Sequence, residues 1–290
     1  MHDSFVGKKY WWELAKKWRD IRHPVRPSKG DLKIYEGFLN KEKRRRKNLK
    51  ILVLGATPEM RDLAAKYGSE VVVCDLSINM IIAMTELMRK ENKNEIWIKA
   101  SWITVPLKHN YFDVILGDAI TTNLSISEAK LCWKHLSELL KPKGIFLSRI
   151  FVIPKSYRNY KILQKEGITI FNKIIKSVIR RKEPTKEELA ALKIVLELLS
   201  YNKNIKTVTT AKYKELYFKY IKDLSIPLSR RKKIFIALSK IYPSFPEKIW
   251  RVSIDVEEEK IASKYFRIIS KKRFKDKFSL SHPIYLFRKK

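Results

Sequence analysis

Two residues about twenty positions apart carry the strongest chemical signal in this sequence. Gly55 closes the apolar run Lys50–Leu54, and Asp75 closes the apolar run Glu70–Cys74. A glycine after a strand lets the backbone turn sharply and approach a ligand, and the helix that follows offers N–H groups at its start. A carboxylate at the end of the next strand can accept hydrogen bonds from both hydroxyls of a nucleoside ribose. Each residue also has a plainer reading. Leu54-Gly55-Ala56-Thr57-Pro58-Glu59 serves equally as an ordinary turn, and Asp75 or Ser77 can cap the next helix. The pair at this separation is more specific than either residue alone.

Two further strand ends share the chemistry. Ala100-Ser101-Trp102 follows a third strand at the position that faces the base of a bound nucleoside. There Ser101 can hydrogen-bond, and Trp102 can stack on the base or pack beneath the loop. Gly117-Asp118-Ala119 ends a fourth strand, where Asp118 can meet a ligand amine, position a substrate or cap a turn.

These groups need strands to hold them in line. Short apolar runs at 50–54, 70–74, 95–99, 112–116 and 145–151 alternate with helical stretches at 59–67, 79–90 and 127–140. The runs at 50–54 and 70–74 read as buried parallel strands, and the alternation predicts βαβ units. Right-handed crossovers put all strand C-termini on one edge, where such sheets bind ligands. Ahead of the first strand lie an amphipathic helix over 8–20, an extended segment His23-Pro-Val-Arg-Pro-Ser28, and a helix over 31–39. A basic, solvated connector is expected over 41–50. After Pro154 the pattern becomes helical, at 157–182, 186–201, 210–224 and 230–242; Thr185 and Glu188 make a capping box for the second of these. Strands return at 271–274 and 284–288, joined by a turn before Pro283. The fold class is therefore α/β: a doubly wound, mostly parallel sheet with a closing antiparallel strand and a helical insertion.

Taken in order, Val-Leu-Gly-Ala-Thr-Pro-Glu, Val-Val-Cys-Asp-Leu-Ser-Ile-Asn-Met, Ala-Ser-Trp, Phe-Asp-Val-Ile-Leu-Gly-Asp and Leu-Leu-Lys-Pro-Lys-Gly-Ile-Phe resemble the class I S-adenosylmethionine-dependent methyltransferase family over residues 50–151. Arg26-Pro27-Ser28 is similar to a lead-in of one bacterial and archaeal branch. The strands beside His282-Pro283 are similar to the family's final antiparallel pair. The resemblance implies S-adenosylmethionine as cofactor, touched by Gly55, Ala56 and Thr57, with Asp75 on the ribose, Leu76, Ser101 and Trp102 at the adenine, and Asp118 at the edge as the candidate catalytic residue. The pattern departs from the family at four places. Val53 stands where an acid is common, Thr57 and Glu59 where glycines are, and Ser101 where an acid is.

On this reading residues 1–49 are a helical lead-in or lid, 50–154 the cofactor-binding core, 155–245 the insertion, and 246–290 the closing helix and strands. Tyr10, Trp11, Trp18 and Arg26 are lid candidates, with helix packing as the alternative for the aromatics. The acceptor is expected to be a small molecule, chosen by the insertion, since acceptor sites arise from added segments. Methyl transfer is an in-line displacement that rests on alignment, and it needs a general base only when the acceptor must lose a proton.

Bulk composition bounds the alternatives. Lys and Arg total 63 against 30 Asp and Glu, a formal charge of +33. About two thirds of that excess falls after residue 150. Such a charge attracts phosphate, so an RNA-directed methyltransferase or an RNA-binding relative is the alternative, although the lysines are spread rather than clustered. An NAD-dependent oxidoreductase fits less well, because Gly55-Ala-Thr-Pro-Glu-Met lacks the Gly-x-Gly-x-x-Gly spacing. Cys74 and Cys132 read as core residues, and no pair among the five histidines has the spacing of a zinc site, so no metal is expected. No apolar run spans a bilayer and no signal-peptide core precedes the first helix, which makes a cytoplasmic protein the default.

Overall fold

Leu49–Leu54 is a run of large apolar side chains with Gly55 behind it and no polar residue after Lys50. It forms β1, an interior strand of a seven-stranded sheet in a computed structural model. The structure describes residues 5–90, 92–181, 183–222, 224–242, 244, 248–274 and 282–290, with side chains from residue 10 onward. Two units emerge: residues 29–152 with 253–290, and residues 1–28 with 153–252.

The first unit holds the sheet. Its strands are β1, β2 (Gly68–Asp75), β3 (Glu95–Lys99), β4 (Phe112–Asp118), β5 (Leu140–Arg149), β6 (Phe266–Lys272) and β7 (Ile284–Lys289). They lie in the order β6-β7-β5-β4-β1-β2-β3. β1 to β5 are mutually parallel, and β7 runs antiparallel to both β5 and β6. Helices flank it at Lys29–Arg45, Pro58–Tyr67, Ile78–Thr85, Ile126–Leu139 and Asp255–Ala262. This is the mostly parallel α/β sheet with an antiparallel closing strand that the sequence predicts. Trp133 sits fully buried among Phe146, Phe266 and Phe287, and its indole N–H donates to Glu258.

Several boundaries differ from the sequence expectation. Helix 29–45 absorbs much of the expected connector 41–50, because its stretch holds no proline and Glu42 is buried, accepting from Arg45 and Arg288. Helix 78–85 stops short of the expected Lys90. The Thr85 hydroxyl donates to the Ile81 carbonyl at 2.7 Å, a local bond that competes with helix continuation. β5 begins at Leu140 rather than at the expected 145, so Pro142 and Gly144 lie inside it. The ladder to β4 skips from Leu140 to Ile145, so proline's missing N–H costs no strand pairing. The turn expected before Pro283 lies partly in 275–281, outside the described residues.

The second unit is helical: Phe5–Lys16, Tyr160–Ile179, Lys186–Leu199, Tyr213–Ile221 and Leu228–Ile241, with a short antiparallel pair of Thr207–Thr209 and Ile249–Arg251. Thr185 and Glu188 form the expected capping box. Helix 186–199 is buried nearly all round, including Lys193 and Glu197, which pair at 2.6 Å. Tyr10 and Trp18 are buried within this unit, Tyr10 edge-on to Trp250. Arg26 donates to the Trp18 carbonyl. Among the described residues no helix is long and apolar enough to cross a membrane.

Candidate active site

Parallel pairing sets the site. Leu54 is opposite both Cys74 and Gly117, Asp75 opposite Lys99, and Asp118 opposite Arg149. The residues that follow β1, β2, β3 and β4 therefore gather along one edge of the sheet.

Gly55 has φ of +82°, a left-handed conformation that a side chain would strain. Its N–H donates to the Cys74 carbonyl at 2.9 Å. A Cβ placed on it would lie 3.7 Å from the Trp102 ring, 3.8 Å from Ile120 and 3.9 Å from Asp75 Oδ2. The bend and the carboxylate are thus neighbours. Ala56 is buried, and Thr57 precedes helix 58–67 without capping it through its side chain. Pro58 occupies the first turn, where its missing N–H is of no consequence.

Asp75 is half-buried, and its Oδ1 accepts from the Ser77 amide at 2.8 Å. Burial pushes its carboxyl up to about 6, against the opposing pull of the Ser77 and Ala56 amides. Ser77, not Asp75, caps helix 78–85, accepting from the Met80 amide. That leaves Asp75 outside the capping role the sequence allowed it. Leu76 is exposed beside it.

The third strand end folds back on this pair. The Ala100 amide donates to the Asp75 carbonyl, and the Trp102 indole N–H donates to the Cys74 carbonyl at 2.8 Å. One carbonyl, that of Cys74, therefore anchors both Gly55 and Trp102. The Ser101 hydroxyl accepts a long 3.3 Å bond from the Ile103 amide.

Asp118 stands in a different environment. Arg149, fully buried at the end of β5, donates to both its oxygens, Nε to Oδ1 at 2.7 Å and Nη2 to Oδ2 at 3.1 Å. Asp31 of helix 29–45 lies 3.8 Å from the same guanidinium. Tyr35, one turn on, donates to the Gly117 carbonyl at 2.8 Å and accepts from the Arg149 amide at 2.6 Å. The two carboxylates outweigh desolvation and hold Arg149 above its usual range. Burial pushes Tyr35 up. Arg149, Tyr35 and Asp31 escaped the sequence reading. The one signal was an arginine, next to Ser148, inside the largely apolar run 145–151.

The family model described as "Methyltransferase domain" matches residues 54–148. No curated protein sequence matches the chain. Among solved structures, a putative Zn-dependent alcohol dehydrogenase from Rhodobacter sphaeroides is 13% identical, with 99% of this chain and 100% of that one covered and a TM-score of 0.59. The PH0226 protein from Pyrococcus horikoshii OT3 is 17% identical over 91% and 92%, with a TM-score of 0.50. The N-methyltransferase NodS from Bradyrhizobium japonicum WM9, in complex with S-adenosyl-l-homocysteine, is 7% identical over 96% and 98%, with a TM-score of 0.48. At such identities the likeness concerns the fold alone.

Proposed function

We propose that this chain is a class I methyltransferase with S-adenosylmethionine as cofactor, and that the edge around Gly55 and Asp75 holds that cofactor for transfer to a small-molecule acceptor; the match of residues 54–148 to the methyltransferase-domain model supports this reading.

The observation that carries this reading is the 3.9 Å between Asp75 Oδ2 and the position of a Gly55 Cβ. The space beside the carboxylate is kept by the absence of a side chain. Asp75 accepts both ribose hydroxyls. The Gly55-Ala56-Thr57 backbone and the start of helix 58–67 lie along the methionine half. Leu76, Ser101 and Trp102 flank the adenine, with Trp102 held by its indole N–H. Asp118 is a positioning residue, since Arg149 occupies both its oxygens; it fixes the edge on which the methionine end rests. Residues 50–154 serve as the cofactor core and 155–245 select the acceptor.

When bound, the cofactor supplies a methyl carbon on a positively charged sulfur. The protein's part is to orient donor and acceptor in line and keep water out. No proton need be taken by Asp118 for an acceptor that is already nucleophilic.

A small molecule is favoured over RNA because the lysines and arginines are spread along the chain rather than clustered in one basic stretch. Calorimetry tests the cofactor site: wild type should bind S-adenosylmethionine and S-adenosylhomocysteine with micromolar-order affinity, and Asp75→Ala should lose at least about tenfold. Equal binding by the variant would remove the assignment. A steep dependence of RNA binding on salt would favour the RNA reading instead.

A further inference from the structure

We propose that His109, His135 and Glu138 form a binding site for a single divalent transition-metal ion of the zinc class. It lies on the sheet-bearing unit and is independent of the cofactor reading. No sequence spacing announces it, because His109 comes from the loop before β4 whereas His135 and Glu138 sit three apart on helix 126–139.

The fold closes that gap with backbone bonds. The Asn110 amide donates to the Glu138 carbonyl and the Tyr111 amide to the Leu139 carbonyl, each at 2.9 Å. These tie the loop to the last turn of the helix and bring His109 beside it. One donor atom from each of the three residues then lies within 4.8 Å of the other two. His135 Nδ1 and Glu138 Oε2 are 3.7 Å apart. A tetrahedral shell with bonds of about 2.1 Å places its donor atoms about 3.4 Å from one another. The helical pair is therefore close to ligand spacing, and His109, being exposed, can swing inward by the remaining ångström.

The orientation of the ring is also set. His135 Nε2 lies 3.0 Å from the Val105 carbonyl, which can only accept, so Nε2 donates there and Nδ1 is the ring nitrogen turned toward Glu138. Metal-binding histidines are commonly oriented in this way, by a carbonyl on the ring nitrogen away from the ion. Two imidazoles and one carboxylate suit zinc over magnesium or calcium, which take all-oxygen shells. Water would complete the coordination. The ion would clamp the segment 105–111 to helix 126–139. That segment continues the loop whose other end carries Ser101 and Trp102.

The test is calorimetric titration of chelator-treated full-length protein with zinc chloride, alongside thermal unfolding with and without zinc. Wild type should take up one equivalent with about micromolar affinity and unfold at a higher temperature when loaded. His109→Ala and Glu138→Gln, both at accessible positions, should each weaken binding about tenfold or more and abolish the thermal shift, and His135→Ala should do the same. Lys134→Ala, which removes an exposed ammonium 3.8 Å from Glu138, should retain or tighten binding. Absence of uptake below millimolar zinc would overturn the proposal. So would uptake that survives both His109→Ala and Glu138→Gln, because the ion would then lie elsewhere.

Discussion

Arg149 grips Asp118 with two hydrogen bonds between adjacent strand ends, and both side chains are buried. Helix 29–45 adds Asp31 and Tyr35 to the same knot. Replacing Arg149 with Met would remove the guanidinium that donates to both Asp118 oxygens and lies 3.8 Å from Asp31. The expected cost is about 3–5 kcal/mol in urea unfolding. Adding Asp118→Asn to Arg149→Met should recover part of that loss, since contacting residues do not act additively. Strict additivity would show that the pair is not the unit described.

Asp75 should make cofactor binding depend on pH. Its folded-state carboxyl titrates at about 6, above the usual carboxylate range, because burial disfavours the charge. The ionised form accepts both ribose hydroxyls, so affinity should fall as pH drops below about 6 and level off above it. Asp75→Asn should bind more weakly and lose that dependence.

Folding stability should respond in the opposite sense. The folded state holds the Asp75 proton more tightly than the unfolded one. The residue's contribution to stability is therefore full below the ordinary carboxylate range and is lost as pH rises through about 6. At neutral pH, Asp75→Asn should be at least as stable as wild type and gain up to about 1 kcal/mol, read from denaturant midpoints. A variant that is weaker in binding yet no less stable separates a ligand-directed carboxylate from a structural one.

Gly55→Ala tests the bend. A side chain at φ of +82° costs about 1–2 kcal/mol, although the nearest atoms, 3.7–3.9 Å away, leave room for the methyl group. A modest fall in melting temperature should accompany a larger fall in cofactor affinity, because the methyl group occupies the space beside Asp75. Unchanged affinity would argue against a ligand there.

Glu95→Ala should be among the most damaging changes away from the edge. Glu95 is the counter-ion of Arg61, which is wholly buried and also bonds the Ile81 carbonyl and the Thr85 hydroxyl. Losing it strands a guanidinium in the interior, at about 3–5 kcal/mol. Thermal unfolding of the variant measures this directly.

How much of this was legible in the sequence depended on whether a signal was local. The strands at 49–54 and 112–118 could be read because buried parallel strands are short, apolar and bounded by turns; 95–99 shares that pattern although it is an edge strand of the sheet, with Ile96 and Trp97 exposed. Gly55 and Asp75 were legible because strand ends in one parallel sheet share an edge. The Arg149 cluster was not, because its members come from residues 31, 35, 118 and 149, and only tertiary folding joins them. The same holds for His109 with His135. The length of helix 29–45 was misjudged because Lys41–Arg45 looks solvated in one dimension, whereas Glu42 turns inward to meet Arg45 and Arg288.

The position of β7 governs when the sheet can be finished. Ile284–Lys289 lies between β5 and β6, so it is an interior strand supplied late in synthesis. Until that stretch leaves the ribosome, Leu140–Arg149 has a hydrogen-bonding neighbour on one flank and an open ladder on the other. An open ladder invites foreign strands. The nascent protein must shelter that flank while the whole helical unit is being made.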